Sequence, residues 1–153
     1  MPSSRQIIWR CSANKMNTYI HKVQYYETDR MGITHHSNYI RWMEEARMDY
    51  LEQIGCGYAH LEELGLMSPV LSVDCRYKQT TTFMDPIAIS VKLRKFDGIR
   101  MTLEYEMHNQ ITGELVSTGT SSHCFLGEDF KPVRFKKKFP EVYEKFKAVE
   151  EPD

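Results

Sequence analysis

The spacing of apolar residues changes its period twice along this chain, and each change marks an element. Tyr19 to Tyr26 reads as a strand, with Ile20, Val23, Tyr25 and Tyr26 as strand-favouring residues. From Tyr39 to Ile54 no Gly or Pro interrupts a helix-forming composition. Tyr39, Met43, Ala46, Tyr50 and Ile54 recur there on one helical face, and Trp42 and Leu51 widen it. Ser37 or Asn38 is expected to N-cap that helix, because a short polar side chain can accept an orphan N–H of the first turn. Gly55 and Gly57 are expected to stop it. At ~1.5 Å per residue the helix would be about 24 Å long, enough to cross a sheet. A shorter helix is predicted from Tyr58 to Leu64, ending at Gly65.

Beyond Gly65 the period drops to two. Leu71, Val73, Cys75 and Tyr77 alternate with polar residues, then Ile87, Ile89, Val91 and Leu93, then Ile99, Met101, Leu103, Tyr105 and Met107. Asp97-Gly98 and Thr112-Gly113 supply the turns, and Glu114 to Leu126 reads as a last long strand. Consecutive strands joined by tight turns make an antiparallel sheet, and their alternation leaves one face to bury. The single long apolar helix must cover that face. The fold class is therefore α+β, a curved antiparallel sheet around one central helix, with a terminal helix over Pro140 to Val149.

Composition sets the outer bounds. The 153 residues suit one domain with a substantial core. Apolar content of 41% and charged content of 27% are those of an ordinary globular protein, and a net charge of -1 gives no global attraction to nucleic acid. No apolar run approaches the ~20 residues of a membrane span. The four cysteines are scattered without zinc spacing, which points to reduced thiols and a cytoplasmic protein. No acidic residue precedes Glu27, while Arg5, Arg10 and Lys15 do, so residues 1–17 read as a variable leader with Met16 as an alternative start. Residues 18–139 form the expected main domain, and 140–153 a C-terminal helix and tail.

The candidate chemistry sits between the first strand and the long helix, from Tyr25 to Tyr39. No phosphate-binding loop, dinucleotide fingerprint, zinc motif or serine elbow is present, so no cofactor or metal is expected. His35 and His36 are adjacent and would diverge on a helix or strand, which suits a shared metal poorly. Asp29 is the serious candidate. As a plain turn residue after Thr28 it would need no further role. Gly32, however, permits close backbone approach, and the helix start that follows presents free N–H groups and a positive dipole end. A carbonyl docked there would be polarised while Asp29 faces its carbon. Arg76, Lys78, Lys92 and Arg94 fall on polar strand faces, where phosphates or plain solvent would suit them.

These residues resemble a known family. Tyr26-Glu27-Thr28-Asp29-x-x-Gly32-Ile33, then His36-x-Asn38-Tyr39, then Glu44-x-Ala46-Arg47 are similar to the hotdog-fold acyl-CoA thioesterases of the 4-hydroxybenzoyl-CoA thioesterase class, especially the branch associated with the Tol-Pal cluster. Cys75-Arg76-Tyr77-Lys78, Asp85, Thr118-Gly119-Thr120 and His123-Cys124-Phe125 support the likeness, which spans Thr18 to Phe135. The resemblance implies a homodimer joining two sheets edge to edge, often paired into a homotetramer, with acyl-CoA bound between protomers; an acyl carrier protein thioester is a close variant substrate, since the chemistry at the thioester is shared. It implies Asp29 as general base or nucleophile and the His36 N–H as the donor to the thioester oxygen, with the His36 imidazole lining the site. Tyr26, Gly32, Asn38 and Tyr39 join Arg76 and Lys78 as expected substrate-binding residues.

Two departures stand out. Thr80 replaces a proline usual in that branch and Thr80-Thr81-Thr82 replaces its neighbours, so substrate contacts there are open; Arg30-Met31 replaces small residues and would re-aim an acyl pocket. Glu44 as a helix-borne catalyst is the lesser reading beside a pair with Arg47 or a tie from the helix to the loop. The Lys136 to Lys138 run suits solvent better than a nucleotide. The alternative function is a non-catalytic hotdog acyl-CoA binder, which would have no need of a carboxylate at position 29. A nucleic-acid module has only the basic tail behind it, and no hydratase motif is present.

Overall fold

The structure, a computed structural model, describes residues 17–152. The leader reading for the residues up to Met16 lies outside them. Strand β1 (Tyr19–Lys22) leads through a 3-10 turn (Tyr25–Glu27) and a loop into helix α1 (Ser37–Gln53) and the short helix α2 (Tyr58–Glu63). Strands β2 (Val70–Tyr77), β3 (Pro86–Phe96), β4 (Arg100–Asn109) and β5 (Leu115–Cys124) follow, then helices α3 (Phe135–Lys138) and α4 (Pro140–Val149). The five strands form one sheet in the order β1-β3-β4-β5-β2, antiparallel throughout. This is the expected α+β hotdog arrangement, with α1 lying across the sheet.

The helix face read from the sequence is the one that is buried. Tyr39, Trp42, Met43, Ala46, Tyr50 and Leu51 are all in the core, facing Ile87, Ile89 and Leu93 of β3 and Met101, Leu103, Tyr105 and Met107 of β4. Gly119 of β5 lets helix and sheet come close. A Cβ there would stand 2.8 Å from the Asp74 carbonyl oxygen and 3.1 Å from the Met43 side chain. At the far end of the sheet, Phe96, Phe125, Phe135 and Phe146 pack ring on ring and fasten α3 and α4 to the same core. Glu150 accepts the Phe96 N–H at 2.7 Å, and Glu151 donates to the Leu93 carbonyl at 2.7 Å.

Several expectations are corrected. The first strand ends at Lys22, because Tyr25 to Glu27 turn in a 3-10 helix and leave Tyr25 and Tyr26 exposed. Neither Ser37 nor Asn38 caps α1. His36 occupies the N-cap position, and the Asn38 amide instead reaches back to the Glu27 and His35 carbonyls. Gly55 stops α1 with φ +82, whereas Gly57 begins α2. Strand β2 alternates in sequence but buries neither face: Leu71, Val73 and Tyr77 are exposed, as is Val70. The reason is position, since β2 lies at the sheet edge beside β5 alone.

Candidate active site

The segment from Glu27 to His36 folds as a narrow turn whose two arms are tied by the backbone. The His35 N–H donates to the Glu27 carbonyl at 2.8 Å, Thr28 and Thr34 form an antiparallel bridge, and the Asp29 N–H donates to Ile33 at 2.8 Å. Gly32 turns the chain with φ +80, a conformation that glycine adopts without steric cost. Arg30 and Met31 stand at the exposed tip. Asp29 is half-buried at the base of the turn, and its Oδ1 accepts the Met31 N–H at 2.8 Å. Asp29 is thus a turn residue and a fixed carboxylate at once.

The second arm leads straight into α1. The His36 N–H meets no acceptor among the described residues, whereas its neighbours do: the Ser37 N–H donates to His35 Nδ1 at 3.2 Å and the Asn38 N–H to the His35 carbonyl at 3.0 Å. Tyr77, the last residue of β2, donates its hydroxyl to the His36 carbonyl at 3.0 Å. The His35 and His36 rings stack with centroids 4.3 Å apart rather than diverging, because both precede the helix proper. No cluster of ligands able to hold a metal occurs among the described residues.

Beneath the turn lies a buried floor. Tyr39 is 3% exposed, and its hydroxyl meets Thr81 Oγ1 at 3.0 Å. Thr81 Oγ1 also meets Thr34 Oγ1 at 2.6 Å, and the Thr81 carbonyl accepts the Thr34 N–H at 2.9 Å. Thr81 therefore supports the turn from inside. Asn38 and Tyr39 belong to this floor, while Tyr26 and His36 are exposed beside it. Arg76 and Lys78 are exposed along and just beyond the edge strand. Arg94 is engaged with Glu104 through two bonds of 3.0 Å, and Glu44 stands 3.9 Å from Arg47. Lys137 and Lys138 line a cavity of about 730 Å³ with Leu64, Leu66 and Phe139, at the opposite end of the sheet from Asp29.

Glu27 is the residue that sequence reasoning missed. Its carboxylate is buried and accepts three donors at 2.8 Å: Trp42 Nε1, His21 Nε2 and the Gln24 N–H. Burial alone would raise its pKa, but the donors from His21, Gln24 and Trp42 outweigh that and hold it below the ordinary glutamate value. His21 continues the network to Glu45 Oε1 at 3.0 Å, which also accepts the Tyr19 hydroxyl at 2.8 Å. Glu27 stands in the quoted motif beside Asp29, but nothing local in the sequence links it to Trp42, fifteen residues further on.

A curved antiparallel sheet around one long helix is the arrangement of the hotdog thioesterase-like proteins. The sequence pattern of the Thioesterase-like superfamily matches residues 23–146, and the chain belongs to that superfamily. It is 36% identical over 130 residues to the "Putative acyl-CoA thioesterase YneP" of Bacillus subtilis (strain 168), covering 82% of this chain and 94% of that protein. Its fold matches the DHNA-CoA thioesterase of Staphylococcus aureus with a TM-score of 0.82 and 34% identity, over 87% of this chain and 89% of that one. A protein of Aquifex aeolicus (strain VF5) named a "Putative esterase" is 32% identical over 108 residues, 71% of this chain and 83% of its own. The expected enzyme class, a thioesterase, stands with these matches. No helix among the described residues is long and apolar enough to cross a membrane.

Proposed function

We propose that this protein hydrolyses CoA thioesters to a carboxylic acid and free CoA, with Asp29 as general base or nucleophile and the His36 N–H as donor to the thioester oxygen. The observation that carries the reading is the pairing of a fixed Asp29 carboxylate with an unpartnered N–H at the N-cap of α1, on two arms of one tied turn. Attack on a thioester moves negative charge onto the carbonyl oxygen. A preorganised N–H there is worth about 10²–10³ in rate. A positioned base is worth about 10²–10⁴. The thiolate leaves without strong acid assistance, so these two groups meet the needs of the reaction. The names of the Bacillus and Staphylococcus relatives support a CoA thioester as substrate. Acyl carrier protein thioesters share the reacting group and form the variant substrate, and the Tol-Pal-associated branch is part of the same reading.

The site is open to solvent in the single chain, and the exposed apolar residues of β2 support a homodimer formed along that edge, with dimers pairing into a tetramer. Tyr26, His36, Arg76 and Lys78 are the exposed groups available to substrate, and Gly32, Asn38 and Tyr39 shape the turn beneath it. The cytoplasmic location belongs to the same proposal; Cys56, Cys75 and Cys124 are free thiols. A thiol-release assay over a panel of aromatic and aliphatic acyl-CoA and acyl carrier protein substrates tests the reading. Wild type turns over at least one CoA thioester, and Asp29→Asn lowers kcat by at least about 10². Turnover retained in Asp29→Asn removes the mechanism, and no turnover on any substrate favours a binding protein instead.

A further inference from the structure

Glu27 is two residues from Asp29, yet nothing in the chemistry of the thioester calls for it. Its surroundings explain why a carboxylate is there. Oε1 takes His21 Nε2 from β1 and the Gln24 N–H from the 3-10 turn, and Oε2 takes Trp42 Nε1 from the second turn of α1, each at 2.8 Å. The backbone carbonyl of the same residue accepts the His35 N–H at 2.8 Å and the Asn38 Nδ2 amide at 3.0 Å. One residue therefore ties both arms of the loop, the start of α1 and the first strand.

We propose that Glu27 is the positioning residue of the active site, whose buried carboxylate fixes the Asp29 carboxylate and the His36 N–H relative to each other. The inference rests on the proposed roles of Asp29 and His36. Three N–H donors converging on two side-chain oxygens need an acceptor at both ends, and only an ionised carboxylate supplies it. A carboxamide fails in either orientation. With its oxygen toward His21 and Gln24, its NH2 meets the Trp42 N–H; reversed, the NH2 meets the Gln24 N–H. The first orientation satisfies more donors, so Glu27→Gln would set two N–H groups against each other at Trp42. Behind the carboxylate, His21 stacks on Trp42 with ring centroids 4.7 Å apart and places its other nitrogen on Glu45. Glu27, Glu45 and Trp42 thus hold His21 in place, and the Tyr19 hydroxyl in turn fixes Glu45.

The test uses the full chain and compares wild type, Glu27→Gln, Trp42→Phe and the double variant in steady-state thiol release, with amide hydrogen exchange read alongside. Glu27→Gln is expected to lower kcat about ten-fold with KM within about two-fold, the behaviour of displaced catalytic groups and not of lost substrate contacts. Exchange at residues 29–36 rises while the amides of β3 and β4 keep their protection. Trp42→Phe removes one donor and keeps the ring packing, and lowers kcat by a smaller factor. In the double variant the opposed N–H pair is gone, so kcat recovers above that of Glu27→Gln alone. Unchanged kcat in Glu27→Gln overturns the proposal, as does a loss that follows the folded fraction with faster exchange throughout the core. Should Glu27→Gln fail to fold, unchanged kcat in Trp42→Phe overturns it and a lowered kcat at constant KM supports it. Full activity of Asp29→Asn would overturn the role of Asp29 by itself, while exchange at residues 29–36 still decides the role of Glu27.

Discussion

The Tyr77 hydroxyl donates to the His36 carbonyl at 3.0 Å, so the last residue of the edge strand holds the first turn of the central helix. The Tyr77 ring also stands edge-on to Tyr39 at 5.0 Å and to His36 at 6.2 Å. Whatever docks along β2 therefore bears on the N-cap that presents the candidate oxyanion donor. Tyr77→Phe keeps both ring contacts and deletes only the hydroxyl. Because the group is half exposed, stability should fall by less than about 1 kcal/mol. Turnover should fall by about three-fold or more at unchanged KM, since a small misplacement of a catalytic group is costly. Urea unfolding with steady-state kinetics checks both. A KM rise without a kcat fall would show that Tyr77 contacts substrate and does not set the N-cap.

Thr81 sits where the sequence left substrate contacts open, and it faces inward. It is 1% exposed, with its hydroxyl shared by Thr34 and Tyr39. Thr81→Val conserves shape but strips two buried hydroxyls of a hydrogen-bonding neighbour. The expected cost is about 1–3 kcal/mol of stability, seen as a lower urea midpoint at unchanged slope. Thr81→Ser keeps the oxygen and should lose less. Equal losses in the two variants would place the contribution in the methyl group.

Legibility in the sequence followed the chemistry of each element. The face of α1 was readable because Tyr39, Met43, Ala46 and Tyr50 are apolar at helical spacing with no breaker between them. Strands β3 and β4 were readable because their buried positions are apolar at period two. The inner face of β5 defeats that rule: Ser117, Gly119, Ser121 and His123 are buried at period two without a large apolar side chain, and Val116, at the register shift, is the one buried apolar residue of the strand. They are accepted there because Tyr105 and Ser121 pair at 2.7 Å, Ser121 and His123 at 2.7 Å, and Gly119 lets Met43 approach. Asp29 and Gly32 could be placed together in one turn because a turn glycine and an acid before a helix are local signals. Glu27 was not, because the donors that give it meaning come from three separate elements.

The glycine of β5 gives a sharp packing test. In Gly119→Ala the new Cβ would meet the Asp74 carbonyl oxygen at 2.8 Å and Met43 at 3.1 Å. Met43 is flexible, but the carbonyl belongs to the β2 backbone and cannot swing aside. Overpacking of this kind costs about 1–3 kcal/mol. Thermal unfolding should show the loss, and a second substitution, Met43→Ala, should not restore it, because the tighter contact is with the strand. Restoration would show that the helix, not β2, sets the limit.

His123 should govern how the protein tolerates mild acid. It is fully buried, with Nε2 against Ser121 and no acceptor or donor at Nδ1 among the described residues. Burial lowers its pKa to about 4, and the positive charge of Arg47 works in the same direction. The unfolded chain has a histidine near ~6.5, so between the two values the unfolded state binds more protons and stability rises with pH. The contribution is fully present above about pH 6.5 and lost as pH falls toward about 4. It amounts to roughly 3 kcal/mol in all and about 2 kcal/mol by pH 5. Glu27, Asp97, Glu104 and Glu150 are held below their ordinary values, so their part of acid unfolding comes at lower pH and leaves pH 5 to His123. Urea unfolding at pH 7.5 and pH 5 should show wild type losing about 2 kcal/mol between them. His123→Leu leaves Ser121 its bond to Tyr105 and should lose far less over the same interval. An equal loss in the variant would move the acid sensitivity to another group.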